Sequence, residues 1–135
     1  MDPAQMLERC PSSPLQGPGW LVGWRMTFAG DDTGAGARAT VVQSPGSSVY
    51  VMLYDVPPAD KAALEMWEGE RYRTLKVRVD TLEGSDLAWT FVFDGYEGGL
   101  PTATYLGALS DAAEQAGAPD EYVLELRTRP CRSDP

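Results

Sequence analysis

The sequence predicts an α+β fold with a small, mixed, barrel-like sheet. Segments rich in strand formers lead the chain, and apolar residues at helical spacing close it. In between, Val49 to Val56 is apolar at nearly every position, the pattern of a strand covered on both faces. Strands mostly first, helices mostly after, with one helix inserted, argue against a doubly wound α/β sheet. A length of 135 residues fits one domain that can bury a core without disulfides or metals. We place that domain at residues 1–127 and a polar, frayed tail at 128–135.

Taken in order, Asp2-Pro3 is a helix start, with Asp as cap and Pro at the first helical position. A short helix over Ala4–Arg9 follows, stopped near Pro11. Leu15–Gly19 reads as loop and Trp20–Phe28 as a strand of β-branched and aromatic residues. Ala29–Arg38, with three glycines and two aspartates, is a loop. Ala39–Gln43 is a short strand, Ser44-Pro-Gly-Ser47 a turn, and Val49–Val56 the covered strand.

Pro57–Glu68 has helical character. Ala63, Leu64 and Trp67 share one face, and Gly69 is the residue beyond the helix end. Leu75, Val77 and Val79 alternate with Lys76, Arg78 and Asp80 in a half-buried strand. Glu83-Gly84 turns the chain, and Trp89, Phe91 and Phe93 alternate on the returning strand. A loop over Glu97–Pro101 leads to a helix carrying Tyr105, Leu109, Ala112, Ala113 and Ala116, closed by Gly117. Pro119 opens a last helix with Tyr122, Val123 and Leu126.

Composition excludes several function classes. Twenty acidic against eleven basic residues give a net charge of −9, which repels phosphate backbones and disfavours nucleic acid as a partner. No apolar run has the length of a membrane span, and the first residues lack the basic-then-apolar order of a secretion signal. Cys10 and Cys131 have no metal-type spacing. They read as free thiols of a cytoplasmic protein, with a single staple between the termini as the alternative. Histidine is absent, so acid–base chemistry falls to carboxylates, Tyr, Lys, Cys or Arg.

Within those limits Glu68 stands out. It lies in the last turn of its helix, where the negative end of the helix dipole disfavours a carboxylate by about 0.3–1 kcal/mol. It is also four residues from Leu64, so it borders the buried face. Burial and the dipole both raise its pKa, which suits a proton acceptor near neutral pH. The competing reading is a surface acid bridged to Arg71 or Arg73. The glycine-rich loop Gly30–Thr40 lacks the Gly-Lys-Ser/Thr ending of a phosphate loop, and Asp31 and Asp32 lack the spacing of a calcium loop. Tyr72, Tyr96 and Tyr105 read, on spacing alone, as packing residues.

Several segments in sequence order resemble the γ-glutamylcyclotransferase, or AIG2-like, family. They are Gly23–Phe28 (GWRMTF), Ala39–Val56 (ATVVQSPGSSVYVMLYDV), Trp67-Glu68-Gly69, Tyr96-Glu97, Pro101-Thr102, Tyr105, and Gly-Ala-Pro-x-x-Tyr at Gly117–Tyr122. The resemblance extends from Met1 to about Arg127. It implies a small mixed β-barrel flanked by helices and an intramolecular acyl transfer. In that reaction the α-amine of a γ-glutamyl compound attacks its own γ-carbonyl, closes 5-oxoproline and expels an amine or amino acid. The family's acid–base carboxylate falls on Glu68, and Tyr72, Tyr96 and Tyr105 fall at pocket-lining or positioning sites. The resemblance implies a small γ-glutamyl substrate, from glutathione-derived dipeptides to γ-glutamyl amines, and neither metal nor cofactor.

The sequence departs from that family in two places. The family opens with a strand and a Tyr-Gly-Ser-Asn loop that holds the glutamyl head, and this sequence starts where that loop ends. Only Glu70 and Arg71 separate Gly69 from Tyr72, where the family has several residues. These departures keep a second expectation open: a non-catalytic, cyclotransferase-like domain that binds a small acidic or amino-acid ligand, or a partner strand at an open sheet edge.

Overall fold

A computed structural model describes residues 6, 8–30, 36–69, 72–93 and 99–134 of the chain. Its backbone is a long antiparallel ribbon of β1 (Leu15–Ala29) and β2 (Arg38–Tyr54), in register from Leu15↔Tyr54 to Ala29↔Arg38. Two sequence expectations change here. Leu15–Gly19 is strand, not loop: Pro18 lies opposite Met52, and a register shift between Leu15 and Gly17 absorbs the irregularity. Pro is tolerated in a strand at such a shift because the ladder is already interrupted there.

Ser44-Pro-Gly-Ser47 does not reverse the chain. It is a bulge within β2, where pairing jumps from Trp24↔Gln43 to Val22↔Ser48. Gly46 takes φ 88° there, a conformation that favours glycine, and the Ser44 and Ser47 hydroxyls lie 3.1 Å apart.

After β2 come α1 (Pro58–Glu68), β3 (Tyr72–Thr81) and β4 (Gly84–Phe93). The sheet order is β2-β1-β3-β4, and every pairing is antiparallel. The α+β class and the flanking helices are as expected. The sheet itself is curled and antiparallel, neither mixed nor a closed barrel: the outer strands β2 and β4 share no ladder among the described residues, and β1 and β3 pair at only Trp20↔Asp80. They cross closely at that point, since a Cβ on Gly19 would lie 2.5 Å from Val79 Cγ1. Curling brings the two outer strands together at one end, where the Phe93 N–H donates to Thr40 Oγ1 at 2.9 Å.

Buried apolar residues form three clusters. Leu21, Val49, Val77 and Val79 fill the inside of the curled sheet. Met6, Cys10 and Leu64 pack on Trp89 and Phe91, seating α1 against β4. Phe28, Ala37, Leu106 and Leu126 join the sheet to α2 (Ala103–Gln115) and α3 (Asp120–Arg127). The alternation read on β3 holds, whereas on β4 Ala88–Phe93 are partly or fully buried on both faces. The apolar face expected of α1 narrows to Leu64, because Ala63 and Trp67 face outward, and the Arg9 guanidinium lies 3.7 Å from the Trp67 ring centroid. Cys10 is buried and Cys131 exposed, both as free thiols.

The C-terminal segment is docked, not frayed. Arg132 N–H donates to Pro101 O at 2.9 Å, and Ala103 N–H donates to Arg132 O at 2.8 Å, a short parallel bridge around Thr102. Arg129 donates to Met26 O, and Asp134 accepts from Thr104. A chain ended after Thr128 forfeits these bonds, each contributing about 0.5–1.5 kcal/mol. We expect it to lose about 2–3 kcal/mol of stability in a urea titration; an unchanged midpoint would show that the segment does not dock.

No helix among the described residues is long and apolar enough to cross a membrane.

Candidate active site

The short connection from α1 to β3 positions the central carboxylate. Gly69 ends α1 at φ 85° and donates its N–H to Glu65 O at 3.1 Å; the Tyr72 N–H then donates to Gly69 O at 3.3 Å. This tight exit keeps Glu68 and Tyr72 within electrostatic reach of each other. Glu68 is half-buried, and α1 has no basic residue in its last turn to offset it. Burial raises its pKa above the ordinary carboxylate range, opposed by the positive charges of Arg9 and Arg38. Among the described residues no ion pair joins Glu68 to Arg73, and Arg71 lies outside them.

Tyr72 opens β3, half-buried, with its ring centroid 5.4 Å from that of Phe93. Burial, followed by the neighbouring Tyr105 and Glu68, pushes its hydroxyl up to about 12, with Arg38 pulling the other way. It is therefore protonated near neutral pH and available as a donor, and among the described residues it has no hydrogen-bond partner.

Tyr105 comes from the first turn of α2. Thr102 caps that helix, its hydroxyl accepting the Tyr105 N–H at 3.2 Å. The Tyr105 hydroxyl in turn accepts the Ala39 N–H at 3.0 Å, which ties α2 to the start of β2 and leaves the hydroxyl's own hydrogen to donate. The structure thus gathers Glu68, Tyr72 and Tyr105 from three separate segments. Tyr96 lies outside the described residues.

Three neighbours escape the sequence. Arg38 opens β2 with its guanidinium carbon 5.1 Å from the Tyr105 ring centroid, Phe93 stacks on Tyr72, and Thr40 holds the end of β4. The glycines flanking the described ends of the 30–36 loop serve close packing. A Cβ on Gly30 would lie 2.6 Å from the Phe93 ring, and one on Gly36 would lie 2.9 Å from Thr102 Cγ2. Only the curl of the sheet brings Arg38 within electrostatic reach of Glu68 and the Phe93 ring against Tyr72, and no spacing in the sequence encodes that proximity. No group of three or more metal-ligating side chains occurs among the described residues.

This chain belongs to the AIG2-like family, whose model matches residues 48–126, the stretch that carries Glu68, Tyr72 and Tyr105. Its curated relatives include the γ-glutamylcyclotransferases of Mus musculus and Homo sapiens. They are 27% and 28% identical to it over 96 residues, which is 68% of this chain and 51% of each relative. The chain therefore spans about half the length of the curated relatives it matches. A solved structure titled γ-glutamyl cyclotransferase has the same fold, with a TM-score of 0.86 at 23% identity over 96% of this chain and 82% of that one.

Proposed function

We propose that this protein converts a γ-glutamyl amine or γ-glutamyl amino acid into 5-oxoproline and the free amine, with Glu68 as acid and base. The observation that carries the proposal is a half-buried carboxylate with a raised pKa, set beside tyrosine hydroxyls in a member of a family whose relatives bear that activity as their name.

The substrate's α-ammonium gives a proton to Glu68, and the freed amine attacks the γ-carbonyl carbon of the same molecule. A C–N bond forms, closing the five-membered ring, and the tetrahedral oxyanion takes hydrogen bonds from nearby donors. The Tyr72 hydroxyl, protonated and without a hydrogen-bond partner among the described residues, is suited to that role. The amide C–N bond then breaks as Glu68 returns a proton to the departing nitrogen. In all, the attacking nitrogen loses two protons and the departing one gains two, so the carboxylate ends as it began. Ring closure within one molecule needs little more than alignment and a poised base.

Tyr72 and Tyr105 bear different loads. Tyr72→Phe is expected to raise KM several-fold with little change in melting temperature. Tyr105→Phe also strands the Ala39 N–H, at a cost of about 1–3 kcal/mol, so it should lower both affinity and stability. Unchanged kinetics in both variants would return the tyrosines to packing roles. The test of the function is release of 5-oxoproline from γ-glutamyl substrates by the purified protein. Ligand binding without product would favour the cyclotransferase-like binding domain.

A further inference from the structure

We propose that Asp134 is a positioning residue for the site: its carboxylate caps α2 from the segment beyond α3 and thereby sets the direction of the Tyr105 hydroxyl. This inference rests on the cyclotransferase reading and adds to it a residue outside the stretch that carries Glu68, Tyr72 and Tyr105.

An α-helix leaves its first N–H groups without partners inside the helix, and its N-terminus carries partial positive charge. α1 and α3 meet that charge with acids of their own first turns, Asp60 in one and Asp120 with Glu121 in the other. α2 has no acid in its first turn. Its donors find partners elsewhere. The Ala103 N–H donates to Arg132 O at 2.8 Å, the Thr104 N–H to Asp134 Oδ1 at 3.2 Å, and the Tyr105 N–H to Thr102 Oγ1 at 3.2 Å. The Thr104 hydroxyl also donates to Asp134. Two of these three N–H groups therefore depend on the segment after α3.

Asp134 brings the missing charge as well as the missing acceptor. Hydrogen bonds from the Thr104 hydroxyl and N–H, with the Thr102 hydroxyl behind them, hold its carboxyl below the ordinary carboxylate range. It is charged at neutral pH and complements the positive end of α2.

Tyr105 is the third residue of α2 and lies in the turn so capped. Its hydroxyl accepts the Ala39 N–H at 3.0 Å, so the side chain is held at both ends, by β2 at the hydroxyl and by the first turn of α2 at the backbone. The segment leading into that turn is tied to the start of β2 as well: the Ala37 N–H donates to Leu100 O at 3.0 Å, and a Cβ on Gly36 would lie 2.9 Å from Thr102 Cγ2. Residues 100–105 are thus bound to 36–39 by one set of contacts and to 132–134 by another. Release of Asp134 removes the second set at the turn that carries Tyr105. The hydrogen that this hydroxyl has left to donate then loses its fixed direction.

The test is steady-state cyclisation of γ-glutamyl-alanine. Asp134→Ala is expected to raise KM about two- to fivefold with kcat unchanged. Asp134→Asn keeps an acceptor for the Thr104 N–H and is expected to recover most of that loss. In the Tyr105→Phe background, which has no hydroxyl to position, Asp134→Ala is expected to change KM no further. Position 134 is exposed, and a melting curve near that of the wild type should confirm that each Asp134 variant is folded. A KM unchanged by Asp134→Ala, or raised by the same factor in the Tyr105→Phe background, overturns the assignment and leaves the activity standing. A joint fall in kcat and melting temperature at unchanged KM makes Asp134 a brace of the fold and overturns it likewise. No 5-oxoproline from the wild-type protein overturns the activity and this inference with it.

Discussion

Glu68→Gln is expected to lower 5-oxoproline release by about 10²–10⁴-fold, the range that a positioned acid–base group supplies. The isosteric amide keeps the shape of the α1 exit and cannot exchange a proton. The loss belongs in kcat, since the carboxylate acts on protons in flight and not on the bound ground state.

The same variant should not be less stable. A carboxyl group whose pKa is higher in the folded than in the unfolded protein binds more protons when folded, so its effect on stability is most favourable at low pH. That benefit is lost as pH rises from the unfolded pKa through the folded one. At neutral pH the charged Glu68 therefore weighs against folding, as does the helix dipole, by about 0.3–1 kcal/mol. Glu68→Gln should melt at the same temperature as the wild type or about 1–4 °C higher, while activity collapses. A large fall in both would identify Glu68 as a structural residue.

The second large effect is on the fold. Leu126→Ala is expected to destabilise the protein by about 2–5 kcal/mol. Leu126 is 1% exposed and closes the cluster of Phe28, Ala37 and Leu106, where neighbours on two helices and the sheet leave little freedom to collapse into the gap. Against a typical domain stability of about 5–15 kcal/mol that is a major fraction, visible as a melting point lower by about 6–20 °C. The Phe28 ring also meets Tyr105 edge-on at 6.4 Å between centroids, so loosening this cluster reaches the site. A loss under about 1 kcal/mol would mean that α3 is not seated as described.

The sequence shows the strands and helices well because each is encoded locally. Leu75, Val77 and Val79 alternate, Leu64 and Glu68 share a helical face, and Gly69 marks the exit. Long-range geometry was less legible. Ser44-Pro-Gly-Ser47 has the composition of a turn, and only pairing with β1 on both sides turns it into a bulge. The residues after Arg127 are polar enough to fray, yet Arg132 finds backbone partners on either side of Thr102. Curl of the sheet depends on how β1 meets β3 and how near that brings β2 to β4, which no residue pattern specifies.

The site divides in the same way. Glu68 was legible because an acid at a helix C-terminus goes against local electrostatics, whereas Arg38 and Phe93 follow local rules and reach the candidate site only through the curl of the sheet. Tyr72 and Tyr105 were recognisable by resemblance; their distinct roles come from partners that spacing cannot reveal, an Ala39 N–H for one and a Phe93 ring for the other.

Cyclisation by Glu68 is tested by incubating the purified protein with γ-glutamyl-alanine and quantifying every product. We expect 5-oxoproline and alanine in equal amounts, no free glutamate, and loss of both products in Glu68→Gln. Free glutamate in place of 5-oxoproline would mean that water attacks the γ-carbonyl instead of the α-amine. That result, or equal turnover by Glu68→Gln, would contradict cyclisation driven by Glu68.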